Sequence, residues 1–340
     1  MTTGPTIDHD LLIVGGRQRQ AEWVSKREWN RYGQAVVLRL NPKSMSSEVL
    51  IEHETADDCR PTDEASIVFK SGAFRDNTLY LCTQTKILIY EYPALTRSNN
   101  VSLPFFNDLH HVTPTENGNL LVAVTGLDMV VEMTMGGKVL REWDVLGRNT
   151  WSRFGKDIDY RKVVTTKPHD SHPNYTFTYK DEIWVTRFEQ KDAVCLNRPD
   201  RRIEIGIERP HDGILHQHRA FFSTVDGHIV IANMNTAKVE RVLDLNQLNA
   251  TGKPLGWTRG LFIVDDDLII VGASALRETS LRRNLRWVKH KFTKSAFIDS
   301  MPTHIALYDI SKERCIWREI LDDPNLDALF SILPVPRVPT

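Results

Sequence analysis

The sequence predicts an all-β fold, a six-bladed β-propeller, from three observations. Short strand-forming runs bounded by turn residues recur along most of the 340-residue chain. Most gaps between these runs are too short for the crossover helices that parallel sheets require. Finally, one plan of four strands over roughly 40 residues, the size of a propeller blade, is repeated five times.

The repeat is clearest where two segments are aligned. Residues 111–145 and 211–245 each begin with a histidine, and the second strand follows nine residues later, at Leu120 and at Ala220. Residues 172–210 and 259–321 follow the same plan, and residues 66–104 form a more diverged copy. These five segments are the five predicted continuous blades.

The two ends of the chain predict how the ring closes. Residues 11–54 supply three strands without an inner one, and residues 328–334 form a strand left over after the last blade. Pairing them gives a sixth blade and removes the open sheet edges that invite aggregation. We therefore expect residues 1–340 to form one propeller domain.

One segment, at about residues 276–302, departs from the blade pattern. It is strongly basic, with aromatic and leucine residues between the charges. We expect a partly helical insertion between the second and third strands of its blade. A solvated flap is the simpler interpretation, since charge runs are usually solvated; a lid, an anion-attracting mouth and a dimer contact are the alternatives.

Composition excludes several classes of protein. A formal net charge of −1 argues against a nucleic-acid binder held mainly by charge. No apolar run approaches the roughly 18 residues of a membrane span, and residues 1–10 lack the pattern of a secretory signal. The four scattered cysteines fit neither a disulfide framework nor a zinc ribbon. We expect a cytoplasmic protein with a small-molecule partner.

Of the 12 histidines, five cluster at three predicted blade starts. The alignment places His111, His172, His211 and Arg259 at equivalent positions on four blades, and such positions converge on the channel axis. One histidine there is more often a hydrogen-bonded core residue, but three together favour a divalent metal such as Zn, Mn, Fe, Cu or Ni. His110 and His169 are alternative ligands.

Charged residues beside these histidines are candidates for catalysis. Arg259 is suited to a carboxylate, sulfate or phosphate of a substrate, with an interblade salt bridge as the equal alternative. Arg187 is a weaker candidate for the same role. Asp170 and Asp212 are candidate proton shuttles, and Asp108 also stands beside the predicted ligands.

Several short runs carry a resemblance to known propellers. The blade pattern resembles the gluconolactonase, strictosidine synthase and virginiamycin lyase group. Phe106-Asn-Asp-Leu-His-His-Val with Asn117-Gly-Asn-Leu-Leu-Val is similar to arylsulfotransferase-type propellers, and Trp257-Thr-Arg-Gly-Leu-Phe with Val271-Gly-Ala-Ser-Ala-Leu-Arg resembles an uncharacterised bacterial propeller family. The resemblance implies a catalytic metal or a substrate on the channel axis. The gluconolactonase group uses mainly carboxylate and amide ligands, whereas histidines favour a transition metal over Ca or Mg.

The leading hypothesis is a metal-dependent enzyme of lyase, cyclase or hydrolase type. His111, His172 and His211 would hold the ion, which acts as a Lewis acid or activates a bound water or hydroxyl. One alternative is a non-catalytic propeller that binds a protein or glycan. Others are an oxidoreductase with histidine-bound Fe or Cu, and a metal-free lyase or sulfotransferase with one histidine as base or nucleophile.

Overall fold

The structure, a computed structural model, describes residues 7–19, 31–55, 57–61, 65–249, 251–276, 300–321 and 326–336. These residues form six four-stranded antiparallel sheets arranged as the blades of a propeller, which confirms the predicted fold. The α-helix of the described residues, α1 (Thr150–Arg153), is a single turn. None of the described helices is long and apolar enough to cross a membrane. All four cysteines are free thiols.

Each blade is a meander from the central channel to the rim. Blade 1 consists of β1 (Leu11–Gln18), β2 (Tyr32–Asn41), β3 (Ser46–His53) and, on the inside, β24 (Ala328–Pro334). Blade 2 consists of β4 (Ser71–Arg75), β5 (Thr78–Cys82), β6 (Ile87–Glu91) and β7 (Thr96–Val101). Blade 3 consists of β8 (Leu109–Pro114), β9 (Asn119–Val124), β10 (Met129–Thr134) and β11 (Val139–Asp144).

The remaining three blades follow the same order. Blade 4 consists of β12 (Pro173–Tyr179), β13 (Glu182–Arg187), β14 (Asp192–Cys195) and β15 (Arg202–Glu204). Blade 5 consists of β16 (Ile214–His216), β17 (Arg219–Ser223), β18 (His228–Asn233) and β19 (Lys238–Asp244). Blade 6 consists of β20 (Trp257–Ile263), β21 (Leu268–Ser274), β22 (His304–Asp309) and β23 (Arg314–Ile320).

The ring closes as the sequence predicts. Strand β24 pairs antiparallel with β1, from Leu11 opposite Pro334 to Gly16 opposite Ala328. A side chain at Gly15 would meet the backbone oxygen of Ala328, so glycine is required for this close approach. The inner strands β4, β8, β12, β16, β20 and β24 contact one another in that order around the channel, and β24 returns to β4.

Most inner strands carry one residue more than the neighbouring strand that they pair with. Among the described strands, the extra residue falls at His110 in β8, within Asn174–Tyr175 in β12, within Arg259–Gly260 in β20 and at Phe330 in β24. Just before β16, three residues from His211 to Gly213 face two on β17. Such bulges leave a residue unpaired and redirect its side chain.

Hydrophobic clusters between neighbouring blades form the core. Between blades 4 and 5, the fully buried Trp184 stacks on Phe177, with ring centroids 6.1 Å apart, and Phe177 contacts Phe222. Burying a side chain of this size stabilises the fold by roughly 1.5–3 kcal/mol. Such clusters pack neighbouring blades against one another around the channel.

Two long connections depart from the blade plan. The predicted basic insertion lies between β21 and β22, as expected, but residues 277–299 lie outside the described part of the chain. The other, residues 145–172 between β11 and β12, reaches the channel mouth. Asn107 anchors it, because its side-chain nitrogen donates to the backbone oxygens of Tyr160 (2.9 Å) and Val163 (2.8 Å).

Candidate functional site

A cavity of about 300 Å³ lies at one mouth of the channel. Every blade supplies a lining residue from the start of its inner strand or from its bulge: Phe330, Lys70, His110, Asn174, His211 and Arg259. Lys167, His169 and His172 reach the cavity from the connection of residues 145–172. Residues far apart in sequence therefore meet on the axis, as the blade alignment predicts.

Three residues at this mouth have the arrangement of a metal site. Asp108, His169 and His172 each offer one ligand atom, and these atoms all lie within 4.8 Å of one another. The Nδ1 atoms of His169 and His172 are 2.8 Å apart. We call Asp108, His169 and His172 the Asp–His–His cluster.

The protonation states of the cluster are those that metal ligation requires. Although burial acts to raise it, the pKa of Asp108 lies well below its usual range because the ammonium of Lys70, 3.1 Å away, and the nearby His110 and Lys167 stabilise the carboxylate. Burial lowers the pKa of His172 well below 6.5, with a further contribution from His110, and burial also lowers that of His169. A carboxylate thus faces two neutral imidazoles at neutral pH.

The buried carboxylate of Asp128, outside the cluster, binds the backbone that carries His172. Asp128 accepts hydrogen bonds at Oδ1 from the N–H groups of Ser171 (3.1 Å) and His172 (2.7 Å). Its Oδ2 accepts from the N–H of Asp170 (2.8 Å) and from Arg153 (2.7 Å). Three successive N–H groups on one carboxylate stabilise the left-handed backbone of His172, whose φ is 59°.

The bulge in β8 decides which of two adjacent histidines reaches the cavity. His110, the extra residue, lines it with its ring centroid 4.6 Å from that of His172. His111 is paired in the ladder instead, and its Nδ1 lies 3.1 Å from the hydroxyl of Thr113 and 3.2 Å from that of Thr176. Its ring stacks on Tyr175 at 3.6 Å. The structure therefore does not bring His111 into a three-histidine group with His172 and His211.

His211 lies on the cavity wall, but its neighbour Asp212 does not. Asp212 is buried, and its Oδ2 accepts hydrogen bonds from Ser223 and from the N–H of Gly260 (2.9 Å), which ties blade 5 to blade 6. His211 Nδ1 lies 3.5 Å from the other oxygen of Asp212. Burial lowers the pKa of His211.

Two of the other three predicted catalytic residues, Asp170 and Arg187, also lie outside the cavity lining, whereas Arg259 belongs to it. The side chain of Asp170 is 44% exposed and forms ion pairs with Arg148 (2.9 Å) and Arg153 (3.0 Å). Arg187 is buried, binds Asp192 through two hydrogen bonds and donates to the backbone oxygen of Val145 at 2.8 Å. Both side chains are therefore engaged in ion pairs that stabilise the fold.

Sequence reasoning missed several lining residues. Lys167 stands in the connection before β12, outside any repeat, and Phe330 stands on the closing strand. Pro168, Phe188, Glu189 and Trp257 also line the cavity. Lys70, by contrast, is predictable from the sequence, because an alignment of the diverged blade 2 places it at the equivalent position before the inner strand.

Comparison with known proteins adds the fold alone. No protein-family model matches the chain, and no curated protein matches it. A crystal structure of a protein of unknown function from Bacteroides caccae superposes with a TM-score of 0.59 at 14% sequence identity. The match covers 96% of this chain and 99% of that one.

Proposed function

We propose that the chain is a metal-dependent enzyme that acts on a small metabolite at the channel mouth. The observation that carries the proposal is the Asp–His–His cluster, whose ionised carboxylate and neutral imidazoles meet beside an open cavity. Three protein ligands leave a coordination position for water or substrate, as in catalytic rather than structural sites.

The residues of the chain divide the work in this proposal. Asp108, His169 and His172 bind the ion, and Lys70 keeps Asp108 ionised. A bound divalent ion supplies Lewis acidity, or lowers the pKa of a bound water. Burial lowers the pKa of His110 well below its usual range, with a further contribution from Lys70, so its neutral imidazole can accept a hydrogen bond from a substrate or a bound water. Lyase, cyclase and hydrolase reactions all use these parts.

The donor set favours one second candidate, an iron-dependent oxidoreductase. Two imidazoles and one carboxylate ligate zinc in some hydrolases, and they also form the triad of non-haem Fe(II) oxygenases. Two measurements distinguish this oxidoreductase from the first candidate: the identity of the bound metal, and the consumption of dioxygen with a substrate, which only the iron enzyme would show.

Metal analysis of untagged protein tests the proposal. We expect roughly one transition-metal ion per chain after purification in metal-free buffers. His172→Ala and Asp108→Asn should each lose most of this metal. His216→Ala is the matched control, because His216 lies outside the cavity lining, with its Nε2 2.8 Å from Asp266.

The three-histidine ring predicted from sequence makes a different prediction for the same assay. Metal lost in His111→Ala and His211→Ala but retained in His169→Ala and Asp108→Asn would assign the ion to that ring and contradict the cluster. Wild-type protein that binds no transition metal, even after incubation with Zn²⁺, Mn²⁺ or Fe²⁺, would contradict both.

A further inference from the structure

We propose that the channel cavity is a binding site for a small organic acid, whose carboxylate is held by Arg259 and whose apolar part packs against Trp257 and Phe188. The inference rests on the proposed function in one respect, since it places the substrate beside the Asp–His–His cluster. The binding of the acid is a property of the cavity itself and can be measured without the metal.

The charges on the cavity wall are predominantly positive. Among the described residues that line it, Lys70, Lys167 and Arg259 are cationic and Glu189 is acidic. Asp108 stands behind this wall in a smaller cavity of about 40 Å³ that shares the three cations, and it forms an ion pair with Lys70. A concave, partly buried surface on which one sign of charge predominates concentrates ligands of the opposite sign.

Arg259 has the geometry of a carboxylate receptor. Its guanidinium carbon lies 3.5 Å from the centroid of the Phe330 ring, and the residue is only 9% exposed. Its Nη2 lies 3.5 Å from the hydroxyl of Ser274. Stacking on an aromatic ring fixes the plane of the guanidinium, and a fixed planar fork matches a carboxylate through two parallel hydrogen bonds.

The bulges explain why this guanidinium and its ring meet at the mouth. Arg259 occupies the irregular part of β20 and Phe330 the irregular part of β24, and both therefore lie outside the regular ladder. The Nζ of Lys70 is 5.4 Å from the centroid of the same ring. Two cations thus share one aromatic platform, and Lys70 links it to Asp108 of the cluster.

The size and the apolar wall restrict the ligand further. A volume of about 300 Å³ is at the lower limit for ligand pockets. The rings of Phe330, Phe188 and Trp257 lie on the wall together with the cations. Such a wall suits an acid with an apolar or aromatic body better than a fully hydrated inorganic anion.

Isothermal titration calorimetry with benzoate and its neutral analogue benzamide tests the inference. We expect benzoate to bind and benzamide to bind at least tenfold more weakly, at constant ionic strength. Arg259→Gln should weaken benzoate at least tenfold, because it removes a charge-assisted bidentate contact. Arg259→Lys should recover part of the affinity, which also shows that the site still folds. The control is Arg219→Gln, which removes an exposed ion pair with Glu240.

Each titration is run on EDTA-treated and on metal-loaded protein. Benzoate binding that survives EDTA and depends on Arg259 supports the acid site, even where the metal assay has failed. Binding that needs the metal and is unchanged in Arg259→Gln would place the carboxylate on the ion and overturn the inference. Equal affinity for benzamide would overturn it too, as would tighter Arg259-dependent binding of inorganic phosphate.

Discussion

Asp128→Asn tests how the proposed metal ligands are positioned without changing any of those ligands. The carboxylate of Asp128 receives three backbone N–H groups and the guanidinium of Arg153, and the residue is 1% exposed. Its φ is 52°, a left-handed conformation that asparagine also adopts readily. The change therefore replaces one acceptor oxygen by an NH₂ group with little backbone strain.

The magnitude follows from the bonds lost. An asparagine oxygen can keep the N–H groups of Ser171 and His172, while its NH₂ then faces two donors, the N–H of Asp170 and Arg153. Two hydrogen bonds to a charged group at about 1.5–3 kcal/mol each are lost. Since Asp170 and Arg153 can partly turn to water, we expect a net loss of about 2–4 kcal/mol in the free energy of unfolding. Metal affinity should fall about 10–100-fold, as when groups that orient ligands are removed.

Urea denaturation and a metal-binding titration measure the two effects. Asp76→Asn is the matched control, because Asp76 has a φ of 51° but is exposed. The reasoning is refuted if Asp128→Asn matches this control in both measurements. A loss of stability with unchanged metal affinity would show that Asp128 supports the fold without positioning His172.

Two further predictions concern stability. Burial lowers the pKa of His304 from 6.5 to about 4, so the unfolded state takes up a proton at this residue before the folded state does. The free energy of unfolding should therefore be unaffected above pH 6.5 and should fall by about 3 kcal/mol as the pH decreases towards 4. His304→Asn keeps a donor for the backbone oxygen of Pro302 and should make the free energy of unfolding less dependent on pH in this range. Wild-type and variant proteins with the same pH dependence would disprove the role of His304. At Gly126, a Cβ atom would lie 2.6 Å from the backbone oxygen of Asn107, so Gly126→Ala should destabilise the fold by about 1–3 kcal/mol. Thermal denaturation measures this loss, and Gly136→Ala, where the nearest atom is 3.9 Å from the added Cβ, should leave the stability unchanged.

The blades could be predicted from sequence because their signal is periodic. Strand runs and turns repeat at fixed spacing, and residues 328–334 had no other partner than the three strands at the other end. The register at the channel mouth could not be predicted in this way. Counting nine residues back from Leu120 gives His111, whereas the bulge at His110 moves the inward-facing position by one residue. No residue type in Leu-His-His-Val marks that bulge.

The candidate site was only partly predictable for the same reason. His172 and the alternative ligand His169 come together, and Asp108 was named beside the predicted ligands. Their meeting depends on the connection of residues 145–172, which has no repeat and is held by Asn107 and Asp128. Asp212 and Arg187 carry the residue types of catalysis, but their partners Gly260 and Asp192 are visible only in three dimensions.

Because of Phe330, the cavity is completed only late in the synthesis of the chain. Phe330 follows every other cavity residue along the chain, and it supplies the ring on which Arg259 and Lys70 lie. Until β24 has left the ribosome and paired with β1, neither cation has its platform. A nascent chain with five finished blades would thus carry all the histidines of the mouth without this aromatic platform, so the platform and the closed ring are completed in the same step.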